Sequence, residues 1–392
     1  MLLKRDISSE NQVIRRRIIL SLDGTWDTAQ ATTNIFRWHQ HIDMTVHEYE
    51  GDHWSQIPAY FPGVGTYDKN QEHNAVDGAL GIGIDRQILS AYSFLAQTLK
   101  DAEKDEVWVL GFSRGAYAAR SLVGMLHNVG LLPPDRLTNH QIKSAYRFYR
   151  DRSPSTTPDC DKARAFRKEN GCVNPIIRFL GCFDTVGNLG VPTLPFFLGG
   201  SLLQQLFPCG SRFHDTNLSP WVKSAFHALS IHEQRQWFKP TLMTYAQTPN
   251  WDQELVQKWF PGVHSDIGGG SGGTPTQEDE NLLPNHALLW MMTMAQDRGL
   301  VFNQTPEFVC RGGKFTFLDS YKSSWIYSVM PRTDRVIDLD VFGKQGIHCV
   351  YTNGTFPYMT KEQLDLYPSR TLVNYEAALN AIKINQQQQQ QQ

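Results

Sequence analysis

The chain has 392 residues, of which 41% are hydrophobic and 19% are charged, and its formal net charge is −2. A chain of this length can form one large core with insertions or two domains, and its composition is that of a globular protein, not a disordered one. The near balance of positive and negative charge argues against a nucleic-acid-binding protein, which usually carries a basic surplus.

Residues 1–14 are predicted to form an N-terminal extension, and they lack the apolar segment of a secretory signal. No run in the sequence approaches the roughly 20 apolar residues that span a bilayer. The six cysteines lack the close pairing of a metal site, and in a chain of this size they do not indicate a disulfide framework. We therefore expect a cytoplasmic protein with no transmembrane segment, no metal and no other cofactor.

The first predicted strand, residues 17–22, ends at the loop Asp23-Gly24-Thr25. Gly24 can adopt the backbone angles that direct an amide toward a bound oxygen, which makes it a candidate oxyanion donor; a plain Asp-Gly turn is the alternative. Asp23 and Thr25 are candidate substrate contacts. The loop also resembles the nucleophile loop of haloacid dehalogenase-type phosphatases, but Ser21 stands where that chemistry needs an aspartate.

Residues 106–126 predict a nucleophile elbow. Residues 107–110 are apolar and suit a strand buried on both faces, a Gly-Phe-Ser-Arg-Gly turn follows, and the next residues favour a helix. In such an elbow the serine stands in a sharp strand-to-helix turn, and two glycines let the strand and the helix approach closely. Ser113 is therefore the predicted nucleophile, and the amide of Arg114 is a predicted oxyanion donor.

Two insertions are expected to form a cap or lid. Residues 131–175 contain a polar helix and are predicted to pass over the sheet as a mobile, charged excursion. Residues 189–220 begin with a crowded apolar stretch that includes Phe196 and Phe197. Apolar cover beside the site would suit an acyl chain or a lipid surface, and ordinary packing onto the core is the alternative.

The candidate acid and base follow two later apolar runs. Residues 176–183 lead into Asp184, and residues 254–260 lead into a glycine-rich loop with His264. Ligand-facing groups of an open parallel sheet lie just past the carboxyl ends of its strands. The order serine, aspartate, histidine is that of α/β-hydrolases, in which the histidine takes the serine proton and the acid orients the histidine.

Other residues compete for the same two roles. Asp266, two residues after the candidate base, is the alternative orienting acid. Three more of the 13 histidines, at positions 227, 232 and 286, lie in segments that look helical, where packed or solvated roles are expected.

Several motifs resemble those of a known family. They are Asp23-Gly-Thr-Trp26, Pro62-Gly-Val-Gly-Thr66, Gly111-Phe-Ser-Arg-Gly-Ala-Tyr117, Phe183-Asp-Thr-Val-Gly187, His227-Ala-Leu-Ser-Ile-His-Glu233 and Phe260-Pro-Gly-Val-His-Ser-Asp266. In this order they resemble an uncharacterised α/β-hydrolase-like domain of fungi and bacteria, which is related to the catalytic part of type VI secretion phospholipase effectors. The resemblance implies an α/β-hydrolase fold, carries the triad onto Ser113, Asp184 and His264, and points to phospholipid esters as substrates of the effector branch.

The predicted architecture is an α/β-hydrolase-like domain over residues 15–300, with a mostly parallel central sheet flanked by helices. A C-terminal region, residues 301–385, is predicted to pack on it, and a poly-Gln tail occupies residues 386–392. The predicted function is cleavage of carboxylic esters, with an ester or lipid substrate and peripheral membrane contact. A catalytically silent binding or scaffold module is the alternative, and the sequence leaves the substrate and the oligomeric state open.

Overall fold

Parallel strands form the centre of the molecule. The computed structural model describes residues 14–24, 32–63, 82–151, 153–186, 217–246, 248, 252–270, 283–304, 331–337, 347–349, 369–374 and 377. The strands are β1 Ile14–Leu22, β2 Val46–Tyr49, β3 Asp52–Phe61, β4 Glu106–Phe112, β5 Ile176–Phe183, β6 Val222–Ser230, β7 Glu254–Phe260 and β8 Ile347–Cys349. The α-helices are α1 Asn34–His41, α2 Ile82–Thr98, α3 Arg114–Val129, α4 Asn139–Arg150, α5 Asp161–Asn170, α6 His264–Gly268 and α7 Leu283–Gln296.

Within these residues the sheet has eight strands in the order β2-β3-β1-β4-β5-β6-β7-β8. Every neighbouring pair is parallel except β2 with β3, so one edge strand runs against the rest. The carboxyl ends of β1, β4, β5, β6 and β7 therefore meet at one edge of the sheet. That edge is where an open parallel sheet places its ligand-facing groups.

The middle strands β4, β5 and β6 are largely apolar because both faces of the sheet are covered there. Val107 and Val109 of β4 pack on the side of α2 and α3, whereas Trp108 and Leu110 pack on the side of α1 and α7. On the second side, aromatic rings stack across β4, β5 and β6: the ring centroids of Trp108 and Phe179 are 5.2 Å apart, and those of Phe179 and Phe226 are 5.0 Å apart. Stacking at this separation stabilises the middle of the sheet beyond simple burial.

The insertion of residues 131–175 contains α4 and α5, and it packs on the helices of the first side. The apolar face of α4 joins that core, and the hydroxyl of Tyr146 donates to Oδ1 of Asp85 on α2. Arg167 of α5 donates to the carbonyl of Asn128 at the end of α3. These contacts place the insertion as a helical layer against α2 and α3.

The prediction of helical structure around His227 is wrong. His227 lies on β6, and His232 follows that strand in a loop, whereas His286 does lie on a helix, α7. The segment contains good helix formers, but it fills the position between β5 and β7, where both faces are buried. Burial in the sheet overrides the local preference of its residues.

The predicted strands at residues 17–22, 107–110, 176–183 and 254–260 and the predicted helix after Ser113 are all present. The chain therefore has an α/β-hydrolase-like fold, a mostly parallel sheet with helices on both faces. Within the described residues, no helix is both long enough and apolar enough to cross a membrane.

Candidate active site

Ser113 stands in a sharp turn between β4 and α3. Its φ is +56°, a left-handed backbone conformation that is rare for residues other than glycine and costs about 1–3 kcal/mol. A Cβ atom on Gly115 would overlap the carbonyl oxygens of Leu22 and Asp23, and one on Gly111 would overlap the backbone of Gly115. Glycine is required at both positions because strand and helix meet here without room for a side chain.

Asp184 occupies the equivalent position after β5, the neighbouring strand. Its φ of +40° is also left-handed. The Ser113 amide donates to the Phe183 carbonyl at 3.0 Å, and the Asp184 amide donates to the Ala228 carbonyl at 2.7 Å. Each residue is thus the first one beyond its strand and remains tied to the next strand, so both side chains emerge at the same edge of the sheet.

His264 begins α6, the short helix after β7, and lies between the other two residues. Its Nε2 is 2.8 Å from Oγ of Ser113, and its Nδ1 is 2.6 Å from Oδ2 of Asp184. The imidazole packs between the rings of Phe112 and Phe238, at centroid distances of 4.8 and 4.9 Å. The three polar side chains form a continuous hydrogen-bonded chain from a serine through a histidine to a carboxylate.

Asp184 has further partners that keep it ionised. Its Oδ1 accepts from the amide of Ser230 at 3.0 Å, and the guanidinium of Arg335 donates to both carboxylate oxygens, at 2.6 and 2.9 Å. Complete burial would raise the pKa of Asp184, but the Arg335 charge and the hydrogen bonds from Arg335 and His264 outweigh it, so the pKa lies well below its usual value. The carboxylate is therefore charged at neutral pH.

The same surroundings keep His264 neutral. Burial lowers the pKa of His264 below its ordinary value, and the hydrogen bond and charge of Asp184 only partly oppose that effect. A neutral imidazole whose Nδ1 hydrogen faces a carboxylate presents the Nε2 lone pair to the serine hydroxyl. This is the protonation state in which a histidine can accept a proton from Ser113.

A second ion pair holds the backbone of His264. Its amide donates to Oε2 of Glu233 at 3.1 Å, and the guanidinium of Arg235 donates to both oxygens of Glu233, at 3.0 and 2.9 Å. The Arg235 guanidinium lies 3.6 Å from the ring of Phe238, which itself packs on His264. The loop after β6 thus positions both the main chain and the ring of the histidine.

Asp266 caps its own turn. Its Oδ2 accepts from the amide of Val263 at 2.9 Å, whereas the carboxylate that contacts the imidazole of His264 belongs to Asp184. The other three histidines also lie elsewhere: Nε2 of His227 accepts from the amide of Thr185, His232 contacts the amide of Gly262, and His286 is buried in α7.

The loop after β1 is organised around Asp23. The buried carboxylate of Asp23 accepts from the hydroxyls of Thr33 (2.5 Å) and Tyr60 (2.7 Å) and from the amide of Gly24 (2.8 Å). The Gly24 amide donates to the Asp23 side chain in this structure, and its role as an oxyanion donor stays a prediction. Burial raises the pKa of Asp23 to about 6, although its hydrogen bonds oppose the rise. Asp23 therefore shapes the loop beside the elbow.

Some predicted contacts lie outside the described residues. These are Thr25, Phe196 and Phe197, together with residues 187–216 of the second insertion. The amide of Arg114 is the first of α3 and lies next to Ser113. In the part of the chain that the structure describes, no group of three or more His, Cys, Asp or Glu side chains is arranged to hold a metal ion.

Residues 16–294 match the family model of the Tle1-like phospholipase effector catalytic domain of the type VI secretion system (T6SS). The chain belongs to this family. Over 249 residues the chain is 29% identical to the uncharacterized protein YEL023C of Saccharomyces cerevisiae; the match covers 58% of this chain and 33% of the yeast protein, so the chain spans about a third of that relative's length.

Two solved structures are similar to the chain. The Tle1 effector, in a structure with the VgrG spike of the type VI secretion system, is 18% identical with a TM-score of 0.43, and 75% of each chain is covered. An uncharacterized protein from Pseudomonas aeruginosa is 19% identical with a TM-score of 0.40, over 76% of this chain and 48% of that one. The assignment to a hydrolase family rests on the sequence match over residues 16–294.

Sequence reasoning missed Ser230, Glu233 and Arg335, the residues that donate to Asp184 or accept from the amide of His264. Glu233 ends one of the motifs that resemble the family, so a signal for it was present. Arg335 lies beyond the family-matched span, in a stretch with no recognisable motif. Nothing local in the sequence marks it as a partner of a residue 151 positions earlier.

Proposed function

We propose that this chain is a serine hydrolase that cleaves carboxylic esters, with lipid esters as its substrates. The observation that carries the proposal is the continuous chain of hydrogen bonds from Ser113 through His264 to Asp184 at the carboxyl edge of the sheet. Membership of a family described as phospholipase effector catalytic domains supports a lipid ester as the substrate.

The first chemical step follows from the protonation states. Nε2 of neutral His264 takes the proton of the Ser113 hydroxyl as Oγ forms a bond to the ester carbonyl carbon. The carbonyl π electrons move to the oxygen, which becomes an oxyanion. In this proposal the amide of Arg114, the first residue of α3, donates to that oxyanion. Ionised Asp184 stabilises the imidazolium that forms.

Collapse of the oxyanion expels the alcohol, which takes the proton from His264 and leaves an acyl group on Ser113. Water then attacks the acyl carbon while His264 accepts one of its protons. The second collapse releases the carboxylic acid, and His264 returns the proton to Oγ of Ser113. The protein ends in its starting state without net gain or loss of protons.

The test is hydrolysis of three esters by the purified chain: phosphatidylcholine vesicles, a triacylglycerol emulsion and p-nitrophenyl acetate. We expect release of fatty acid from the lipids, abolished by Ser113→Ala and retained by Ser121→Ala, a control on a buried serine of the same helix. Turnover that survives Ser113→Ala would overturn the assignment of the nucleophile. Absence of turnover on all three substrates would favour a hydrolase fold used as a binding module.

A further inference from the structure

Arg335 lies outside the family-matched span but contacts the acid of the candidate site. The guanidinium donates two hydrogen bonds to the two oxygens of Asp184. It also donates to the carbonyls of Ser230 and Phe238. Both members of the ion pair are almost fully buried. A two-point contact between planar groups fixes the orientation of the carboxylate as well as its charge.

The segment 331–337 that carries Arg335 is tied to residues 233–238, the loop after β6. The amide of Thr333 donates to the carbonyl of Gln234 at 2.8 Å, and a second backbone hydrogen bond and an antiparallel bridge join the two segments. The loop includes Glu233, which accepts from the amide of His264. The two segments therefore form one layer that contacts both the acid and the base.

We propose that Arg335 is a positioning residue that fixes the Asp184 carboxylate and keeps His264 able to accept a proton at lower pH. This role rests on the proposed hydrolase function of Ser113, His264 and Asp184. It also makes the segment 331–337 a part of the site, although that segment lies beyond the catalytic-domain match.

The charges around His264 are arranged in pairs. Glu233 is held by Arg235, and Asp184 is held by Arg335, so each carboxylate has a guanidinium partner. Other titratable groups on the elements packed here include Asp266 on the same turn, His232 beside Gly262, His227 behind Asp184 and His286 on α7. Burial lowers the pKa of His227 to about 3 and that of His286 to about 4, so both imidazoles are neutral near pH 7.

Removal of the Arg335 charge would leave the pair of Asp184 and His264 with a net charge of −1 in a buried site. Burial disfavours that charge, so the pair would take up a proton at higher pH, whether the proton resides on the imidazole or on the carboxylate. A pair that already holds this proton cannot accept one from Ser113. In a plot of hydrolysis rate against pH, the fall of the rate on the acidic side would therefore begin at a higher pH.

The test is an NMR titration of the full chain with ¹⁵N-labelled histidine, which needs no substrate. The signals of His264 are assigned by their loss in His264→Gln. Three variants are compared with the unaltered chain: Arg335→Gln, which removes the charge; Arg335→Lys, which keeps the charge on a single-point donor; and Arg332→Gln, a control that removes an exposed charge from the same segment.

In Arg335→Gln we expect the titration midpoint of His264 to rise by about one pH unit or more. In Arg335→Lys it should rise by less than half as much, and in Arg332→Gln it should not change. A midpoint in folded Arg335→Gln that equals that of the unaltered chain would overturn the proposal. An equal shift in Arg332→Gln would also overturn it, because the effect would then be general.

If Arg335→Gln does not fold, we compare the thermal unfolding of the double variant, which combines Asp184→Asn with Arg335→Gln, with that of Asp184→Asn alone. Removing one partner of a buried ion pair leaves an uncompensated charge, whereas removing both relieves it. We expect the double variant to unfold at a higher temperature than Asp184→Asn alone; an equal or lower midpoint would contradict the proposal. Failure of the hydrolase function is seen separately, as absence of fluorophosphonate labelling at Ser113 in the unaltered chain.

Discussion

Ser113 and His264 are held by two different kinds of interaction. Around Ser113 the determinants are steric and local, since the elbow depends on two glycines within two residues of the serine and on the nearby end of β1. Around His264 they are charged and distant in sequence: Glu233 precedes the histidine by 31 residues, and Arg335 lies 151 residues beyond Asp184. Ser113 is held by steric fit, and His264 is held by buried ion pairs.

This difference predicts how each region fails. A change at the elbow causes atomic overlap, which the close-packed interior cannot absorb, so it acts first on stability. A change at the ion pairs alters the charge seen by the imidazole, so it acts on protonation and on rate as well as on stability.

The largest effect is expected where the two regions meet. Ser113→Ala and His264→Gln should each reduce ester turnover by about 10⁴-fold or more, because the hydroxyl and its base act as one unit. Steady-state hydrolysis measured for both single variants and for the double variant is the test. The double variant should be no slower than the slower single variant. Additive losses would mean that the two residues act independently.

Asp184→Asn should reduce turnover by about 10³ to 10⁴-fold, since an amide can stabilise neither the required tautomer nor the imidazolium. The variant should also lose about 3–5 kcal/mol of stability, because Arg335 is left buried without its partner. Chemical denaturation measures the second effect separately from the kinetics. Full stability with low activity would show that the ion pair contributes nothing to the folded state.

Gly115→Ala tests whether the turn at Ser113 depends on the close approach of α3 to β1. We expect a loss of about 4 kcal/mol or more, or no folded protein, because the added methyl group would overlap the backbone of β1. Gly124→Ala on the same helix is the matched control, since the nearest atom to its Cβ would be the hydroxyl oxygen of the Tyr149 side chain, at 3.3 Å. The control should change stability by no more than about 1 kcal/mol. Equal losses of stability in Gly115→Ala and Gly124→Ala would contradict a steric requirement for glycine at position 115.

The smallest effect concerns His227, whose ring accepts from the amide after Asp184. Burial lowers the pKa of His227 to about 3. Between about pH 3 and pH 6.5 the unfolded chain therefore binds one more proton than the folded chain. His227 therefore leaves the free energy of unfolding unchanged above about pH 6.5 and destabilises the folded chain increasingly as the pH falls below that value. His227→Gln should flatten the slope of stability against pH by about 1.4 kcal/mol per unit, with exposed His140→Gln as the control.

The sequence predicted the steric half of the site better than the charged half. Apolar runs define β1, β4, β5 and β7, and a serine between two glycines defines the elbow, because these signals are local. The order of Ser113, Asp184 and His264 also agrees with the geometry of the site, since each follows a strand of one parallel sheet.

The rest depends on contacts that only the folded chain creates. No spacing connects Arg335 with Asp184, and Gly24 could not be known to donate to the side chain of Asp23. The segment around His227 has the residues of a helix, and its position inside the sheet decides its structure. In each case a distant partner determines the outcome.

Activation of Ser113 by His264 is measured by labelling the purified chain with a fluorophosphonate. The modified residue is mapped by mass spectrometry, and the rate is compared between the unaltered chain and His264→Gln. We expect modification at Ser113, slowed by about a hundredfold or more in the variant. Modification at another residue, an equal rate in folded His264→Gln, or no modification of the folded chain would contradict it.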